Sequence, residues 1–465
     1  MVRKIERNNF IVPVVLSLVL AIIYFTVGTK YFLAALVLAI GGFLSLVDFR
    51  FAVFGITFLM PFLPNTLALL AFLGLGFLYF LRRVFIEKDT IVHNVYSGII
   101  AVYLVVLIIQ TVTSVDFKGS LRDLGLHIGG LAYIFAVVNT IKTRKDFNIF
   151  VTVLLASVTI VALIGILQIF TGVEIRREWV DVEANPDMRV RVFSVFGNPN
   201  TLAEYLVMFA PVGVGMFWHT KDMKKKFVFG AAVASMLVCL IFTMSRGGWV
   251  GIAMAAFIYC LLVDPRLLLL AIPMGFVVLL VMPASIMNRI LSIGNLADSS
   301  SVHRFNIFNI SYAMIKDHFI GGVGLGHLAF KKVFETYSRT INAYHAHNSF
   351  IQIFAELGFA GFMIFMVMLL DFIRYPIIKL VNQTKYINQD KYFKYIGAGV
   401  VAGIIGVFTH GLAENVLYLP KIIFSFWTLV GIGAMAINIM EINTPKIVET
   451  KDQVYKILRR SESND

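Results

Sequence analysis

The chain has 465 residues, 59% of them hydrophobic and only 14% charged, with a mean hydropathy of +0.84. A water-soluble domain cannot hide that much apolar surface, so a soluble fold is excluded and an all-α polytopic membrane protein is expected. The formal net charge of +13 sits mostly in short loops between apolar runs, not in an aromatic-laced stripe; this sets membrane orientation and excludes nucleic acid as a partner.

At the N-terminus, MVRKIERNNF leads into a long apolar run with no convincing small-residue cleavage site, so the run reads as a first retained helix. Candidate spans follow at 10–27, 31–47, 51–63, 66–81, 96–113, 124–141, 148–170, 200–218, 227–243, 249–263, 267–283, 347–370, 395–413 and 421–440. Segment 51–63 around Pro61 and Pro64, and 249–263 beside Gly247 and Gly248, fall short of the about 20 residues of a perpendicular crossing. The count is therefore 12–14 transmembrane helices. With Arg3, Lys4 and Arg7 cytoplasmic, the same side receives Arg82, Arg83 and Lys88; Lys142, Arg144 and Lys145; Lys221 and Lys224 to Lys226; and Arg374, Lys379, Lys385, Lys391 and Lys394.

This divides the chain into N-terminal transmembrane helices (1–170), an external basic loop (171–199), central helices (200–283), a large external loop domain (284–346), C-terminal helices (347–440) and a cytoplasmic tail (441–465). Loop 171–199 concentrates Arg176, Arg177, Arg189 and Arg191 on the side where basic residues are normally scarce. Loop 284–346 is long enough for its own helices, one expected over 301–318 with Ser301 as cap and Phe305, Ile307, Phe308, Tyr312 and Ile315 on its apolar positions. Cys239 and Cys260 lie in apolar runs and offer neither a disulfide nor a metal cluster.

Four polar stretches fall at mouths of predicted spans on the external side: RVRVFSVFGNPNTLAEY at 189–205, SRGGW at 245–249, SSSVHRFN at 299–306 and AYHAHNS at 343–349. Together they are expected to line one cavity. Arg191 precedes Gly197, Asn198, Pro199 and Asn200, a turn-and-cap sequence opening a helix with Glu204 near its start; the bland reading is a charged loop, the functional one an arginine holding an anion at a helix N-terminus. Arg246 lies between two apolar runs, where it either snorkels to the interface or is aimed into a recess by the bend that Gly247 and Gly248 allow. Arg304 points to the same cavity or pairs with Asp298 or Asp317. GGVGLG at 321–326 lacks the Gly-Lys-Ser/Thr ending of a phosphate loop and follows no parallel strand, so turning or close packing is expected there.

His345 and His347 supply too few ligands for a metal, and His303, His318 and His327 add no compact spacing, so no metal and no cofactor is expected. His347 is either an interfacial histidine or a general base, its orientation fixed by Asn348 or a backbone carbonyl.

The ordered set over 189–361, an arginine before GNPNTLA, then SRGG, then Arg304 with a glycine-rich segment downstream, then HNSFIQIFAELGFAG, resembles the bacterial O-antigen ligase and Wzy-type polysaccharide polymerase superfamily. The resemblance implies a GT-C-like polytopic glycosyltransferase in the bacterial cytoplasmic (inner) membrane, with its active site on the extracytoplasmic side. Its donor would be a polyprenyl-diphosphate-linked glycan, its acceptor a glycolipid or lipid-linked saccharide hydroxyl, and its surroundings membrane lipid. On this mapping His347 is the catalytic base, Arg191 and Arg246 bind the diphosphate, and Arg304, His345, Asn198 and Asn348 are possible substrate contacts. The single displacement implies inversion. A Wzy-type polymerase joining lipid-linked repeats, and a transporter or flippase for a lipid-linked glycan, are the alternatives. DHFIGGVGLG departs from the family's usual proline before the glycine-rich segment, and the predicted spans exceed its usual number.

Overall fold

The computed structural model describes residues 15, 17–19, 41–45, 47–85, 93–173, 190–280, 282–294, 299–382 and 391–443. Most of the spans expected at 10–27 and 31–47, and the tail at 444–465, lie outside the described residues. Among those described, no strand occurs and the chain is helical throughout.

The helices, in chain order, are α1 (Arg50–Leu59), α2 (Asn65–Phe85), α3 (Ser97–Val112), α4 (Phe117–Thr140), α5 (Arg144–Thr171), α6 (Pro199–His219), α7 (Met223–Phe242), α8 (Arg246–Val263), α9 (Leu268–Leu280), α10 (Ala284–Leu291), α11 (Ser299–Asp317), α12 (His327–Tyr337), α13 (Ser349–Pro376), α14 (Tyr392–His410) and α15 (Pro420–Asn443). Among the described residues nine stretches are long and apolar enough to cross a membrane: α2, α4 to α8, α13 with its continuation to Asn382, α14 and α15; Arg50–Phe62, Ser97–Val112 and Pro265–Val277 are shorter apolar helices. The protein is a multi-pass membrane protein.

Local sequence sets five of the starts. Thr143, Asn198, Asp222, Ser245 and Asn348 each turn a side-chain oxygen onto first-turn N–H groups, of α5, α6, α7, α8 and α13 respectively. Two predicted boundaries differ from the observed ones for a reason that matters to function. The span expected at 395–413 ends at His410, which leaves Gly411–Leu419 as a connecting loop. Helix α13 breaks at Gly358, whose φ of 63° and ψ of −175° are non-helical. The GGVGLG segment lies against that break: Val323 N–H donates to the Ala355 carbonyl at 2.9 Å and Gly324 N–H to the Glu356 carbonyl at 3.1 Å. Close packing, not flexible turning, is what these glycines provide. In the loop domain Ser301 lies inside α11, two residues past its first residue, and does not cap it.

Helix α15 is wholly buried along its membrane-length window, its Phe424 stacking on Phe72 at 4.0 Å between ring centroids. The tightest packing joins α14 to α6 and α8. A Cβ on Gly399 would stand 2.7 Å from the Pro211 carbonyl, and one on Gly406 2.8 Å from the Gly251 carbonyl. Small residues let these backbones touch, the usual means of association where water exclusion offers no driving force. Lys394 at the start of α14 reaches the Val263 carbonyl at the end of α8, 2.8 Å away, so α14 runs antiparallel to α8. The lysines around 221–226 and 391–394 thus share one end of the bundle, and the N-termini of α6, α8 and α13 lie at the other.

Candidate functional site

At that other end, one recess is lined by Arg191, Asn200, Ser245, Arg246, Gly247, Arg289, Arg304, His410 and Ala413. Val192 N–H bonds to the Phe242 carbonyl at 3.0 Å, which pins the segment before α6 to the end of α7 and leaves Arg191 only 4% exposed. The Arg191 guanidinium then donates to the Thr243 carbonyl at 3.1 Å and to Asn200 Oδ1 at 3.0 Å. Ser245 starts α8 so that Arg246, its first residue, reaches the Ser292 carbonyl at 2.9 Å. Arg289 comes from α10 and Arg304 from α11.

Four guanidinium groups share this recess with one acidic residue, Glu414, behind Asn200. Burial, then repulsion from Arg289, Arg304 and Arg246, pushes Arg191 down to about 9 against the opposing pull of Glu414. A guanidinium still holds its proton at neutral pH at that value, so the recess is a positively charged cavity with its charges under mutual strain. An anion relieves that strain.

The histidine loop is shaped by its alanines. Ala343 and Ala346 are buried with Ile307, Phe330 and Phe334 of the loop domain, which turns Tyr344, His345 and His347 away from that core. Gln352 Oε1 accepts the Ala346 N–H at 2.6 Å, and His345 Nδ1 accepts the His347 N–H at 3.3 Å. These bonds hold His347 at a φ of 49°, a left-handed conformation that a non-glycine residue adopts only when its surroundings impose it.

Glu414 joins the two halves. Its Oε1 lies 3.0 Å from His347 Nδ1, while its Oε2 accepts from Asn200 Nδ2 at 2.9 Å and lies 3.9 Å from Arg304 Nη2. Burial opposes its ionisation, yet His347, His345 and Arg304 together hold its carboxyl well below the ordinary range. Glu414 is therefore an anion that accepts, so His347 Nδ1 donates, and in the neutral ring Nε2 is the nitrogen left with the lone pair. Burial pushes His345 down to about 3, with Glu414 opposing and His347, His327 and Arg304 adding to the fall. It is neutral, and its Nδ1 lone pair is taken by the His347 N–H.

These states predict acid sensitivity. Unfolded, His345 binds a proton near its ordinary 6.5; folded, only near 3. Between those values the unfolded chain holds the extra proton, so stability falls as pH drops through this window, and the lowered Glu414 adds a further loss below its ordinary 4.5. Melting temperatures in detergent should decline from about pH 6.5 downward. A His345→Asn variant should show a flatter decline above pH 4.5, and an unchanged slope would contradict the assignment.

Of the residues singled out from sequence, Arg191, Arg246 and Arg304 meet in the recess, and His345 and His347 adjoin it through Glu414. Arg304 pairs with Glu414; Asp317 instead accepts from Tyr337 at 2.6 Å, and Asp298 lies outside the described residues. Asn198 Oδ1 caps α6. Asn348 Oδ1 caps α13 and its Nδ2 donates to the Leu412 carbonyl at 2.9 Å, so the group orienting His347 is Glu414 and not Asn348. Sequence reasoning missed Asn200, Arg289, His410 and Glu414. Asn200 was two positions from the cap, and Arg289 follows Pro283 on a short helix that a sharper amphipathicity test would have found. Glu414 fell just beyond the span predicted to 413.

Residues 231–366 match the Wzy_C family model, described as O-antigen ligase. Over this segment the chain is similar to the O-antigen ligase/Wzy superfamily. The O-antigen ligase match takes in Arg246, Arg289, Arg304, His345 and His347, whereas Arg191, Asn200, His410 and Glu414 lie outside it and are joined to it by the fold. The similarity supports a function of the general ligase or polymerase type. A comparison with curated protein sequences finds no match.

Among the described residues one group has metal-ligand spacing: His345, His347 and Glu414, with donor atoms within 4.8 Å of one another. The donor set fits a cation poorly. His345 Nδ1 already accepts an N–H, His347 Nδ1 carries the proton bonded to Glu414, and the arginines of the adjoining recess repel positive charge.

Proposed function

We propose that the chain is an O-antigen ligase-like glycosyltransferase that moves a glycan from a polyprenyl-diphosphate donor to a hydroxyl acceptor, with inversion. The observation that carries this reading is Glu414, which bonds the base, His347, on one oxygen and faces the arginine recess on the other. In the reaction, the acceptor oxygen attacks the anomeric carbon while His347 Nε2 takes the hydroxyl proton. The bond from that carbon to the phosphate oxygen breaks, and its electron pair leaves with the diphosphate. Arg246, Arg289 and Arg304, steadied by buried Arg191, stabilise the charge that develops there. Glu414 stabilises the imidazolium formed, as the buried carboxylate does in a serine-protease triad.

The clustering of arginines at one end of the bundle, opposite the lysine-rich end, supports an extracytoplasmic site in the cytoplasmic membrane and disfavours a transport path. A polymerase would run the same chemistry with a lipid-linked repeat as acceptor. Purified protein in nanodiscs, given polyprenyl-diphosphate glycan with and without a separate lipid acceptor, distinguishes them by product mass. One transfer to the added acceptor marks a ligase, and a ladder formed without it marks a polymerase. A product that keeps the donor's anomeric configuration would sink the single displacement. Turnover should persist in millimolar EDTA; loss that zinc, manganese or magnesium restores would move the histidine pair into a metal mechanism.

A further inference from the structure

We infer that His410 is a second histidine of the site, a neutral hydrogen-bond donor to the leaving diphosphate. The inference rests on reading the recess as the leaving-group site. His410 ends α14, is 2% exposed, and is one of the residues lining the recess. Its Nδ1 is buried with no hydrogen-bond partner among the described residues. A histidine used only as filler would carry a desolvation cost that phenylalanine or leucine avoids.

Helix α8 is cut away to receive this ring. A Cβ on Gly247 would stand 2.5 Å from His410 Cδ2 and 3.0 Å from its Nε2, and one on Gly251 3.3 Å from its Cβ. The first glycine of SRGGW therefore has a specific role: any side chain there would push the imidazole out of the recess wall. Gly247 itself lines the recess, so the ring edge carrying Nε2 lies at that wall. The buried nitrogen fixes the tautomer. A buried N–H without an acceptor is rarer and worse than a buried lone pair without a donor, so the proton belongs on Nε2 and Nδ1 keeps the idle lone pair.

Such a group supplies something the four guanidinium groups do not. It gives a phosphate oxygen one more directed N–H without adding another positive charge to a cavity already strained by repulsion. His410 and His347 then divide the reaction between them. His347 receives the acceptor's proton, and His410 holds the departing oxygens from the other side of Glu414.

The test uses the full chain in nanodiscs, farnesyl diphosphate as the headgroup probe, and turnover on lipid-linked glycan in membranes from cells lacking this protein. His410→Phe keeps the ring's shape and should weaken farnesyl diphosphate binding by about ten-fold or more, the usual scale for a lost bond to a charged group. His410→Gln, whose amide nitrogen reaches the place of Nε2, should recover most of that loss. Phe-variant affinity within two-fold of wild type, in protein with an unchanged melting temperature, overturns the inference. Should the Phe variant fail to fold, His410→Leu against His410→Gln decides, and equal affinities of those two overturn it. A wild-type protein that transfers glycan yet does not bind farnesyl diphosphate would instead refute the recess as leaving-group site.

Discussion

Replacing His347 with alanine lowers turnover by about 10²- to 10⁴-fold, the range of a positioned general base, and leaves donor affinity within a few-fold of wild type. The separation follows from the geometry, because the imidazole lies across Glu414 from the recess and lines none of it. Glu414→Gln should come close to the same loss. An amide at that position can present N–H to Nδ1, turn the ring to its other tautomer and remove the lone pair from Nε2, as loss of the triad carboxylate does in serine proteases. Glu414→Gln should also weaken donor binding modestly, since Asn200 and Arg304 lose their carboxylate partner. Steady-state kcat and KM, with donor affinity measured separately, check both variants. Near-normal kcat in His347→Ala would remove the base from the mechanism.

The second large effect concerns the arginines. Arg246→Ala and Arg304→Ala should each weaken diphosphate binding by roughly 10- to 100-fold, since a charge-assisted hydrogen bond is worth about 1.5–3 kcal/mol. Arg191 differs in kind: buried and bonded to Thr243 and Asn200, it is also structural, and Arg191→Ala should lower the melting temperature as well as the affinity. The repulsion that depresses Arg191 has a converse. Arg289→Gln should raise the melting temperature of the anion-free protein while weakening donor binding, a trade of activity for stability typical of strained sites. Inorganic pyrophosphate should stabilise wild type by mass action and stabilise each arginine variant less. Variants that bind pyrophosphate as tightly as wild type would rule out the recess as the anion site.

The helical membrane fold was legible in the sequence because the apolar runs are long and the loop charges fall on one side. Boundaries were less so. A hydropathy run cannot reveal the break at Gly358, against which the GGVGLG segment packs. The arginines were found by their improbability: a guanidinium between apolar runs, or on the sparsely charged side, needs a reason to be there. Glu414 offered no such contrast, since a lone carboxylate just past an apolar run looks like an interfacial residue. Its importance lies in contacts 67 residues upstream to His347 and 214 upstream to Asn200, and nothing local encodes them. His410 was hidden for the same reason, reading as the polar end of a span until Gly247 was seen against its ring.

The glycine seam of α14 bears on how large substrates get in. With its backbone in contact with α6 and α8, α14 has no slack in which to slide or tilt, and it carries His410 and delivers Glu414 directly after it. On the proposed reading, half of the site is thus a fixed wall, and admission of a lipid-linked sugar would fall to the opposite half, where α10 and α11 bring Arg289 and Arg304. Hydrogen exchange should find α14 the slowest-opening helix of the site and α10 and α11 among the fastest, with donor binding slowing the latter alone.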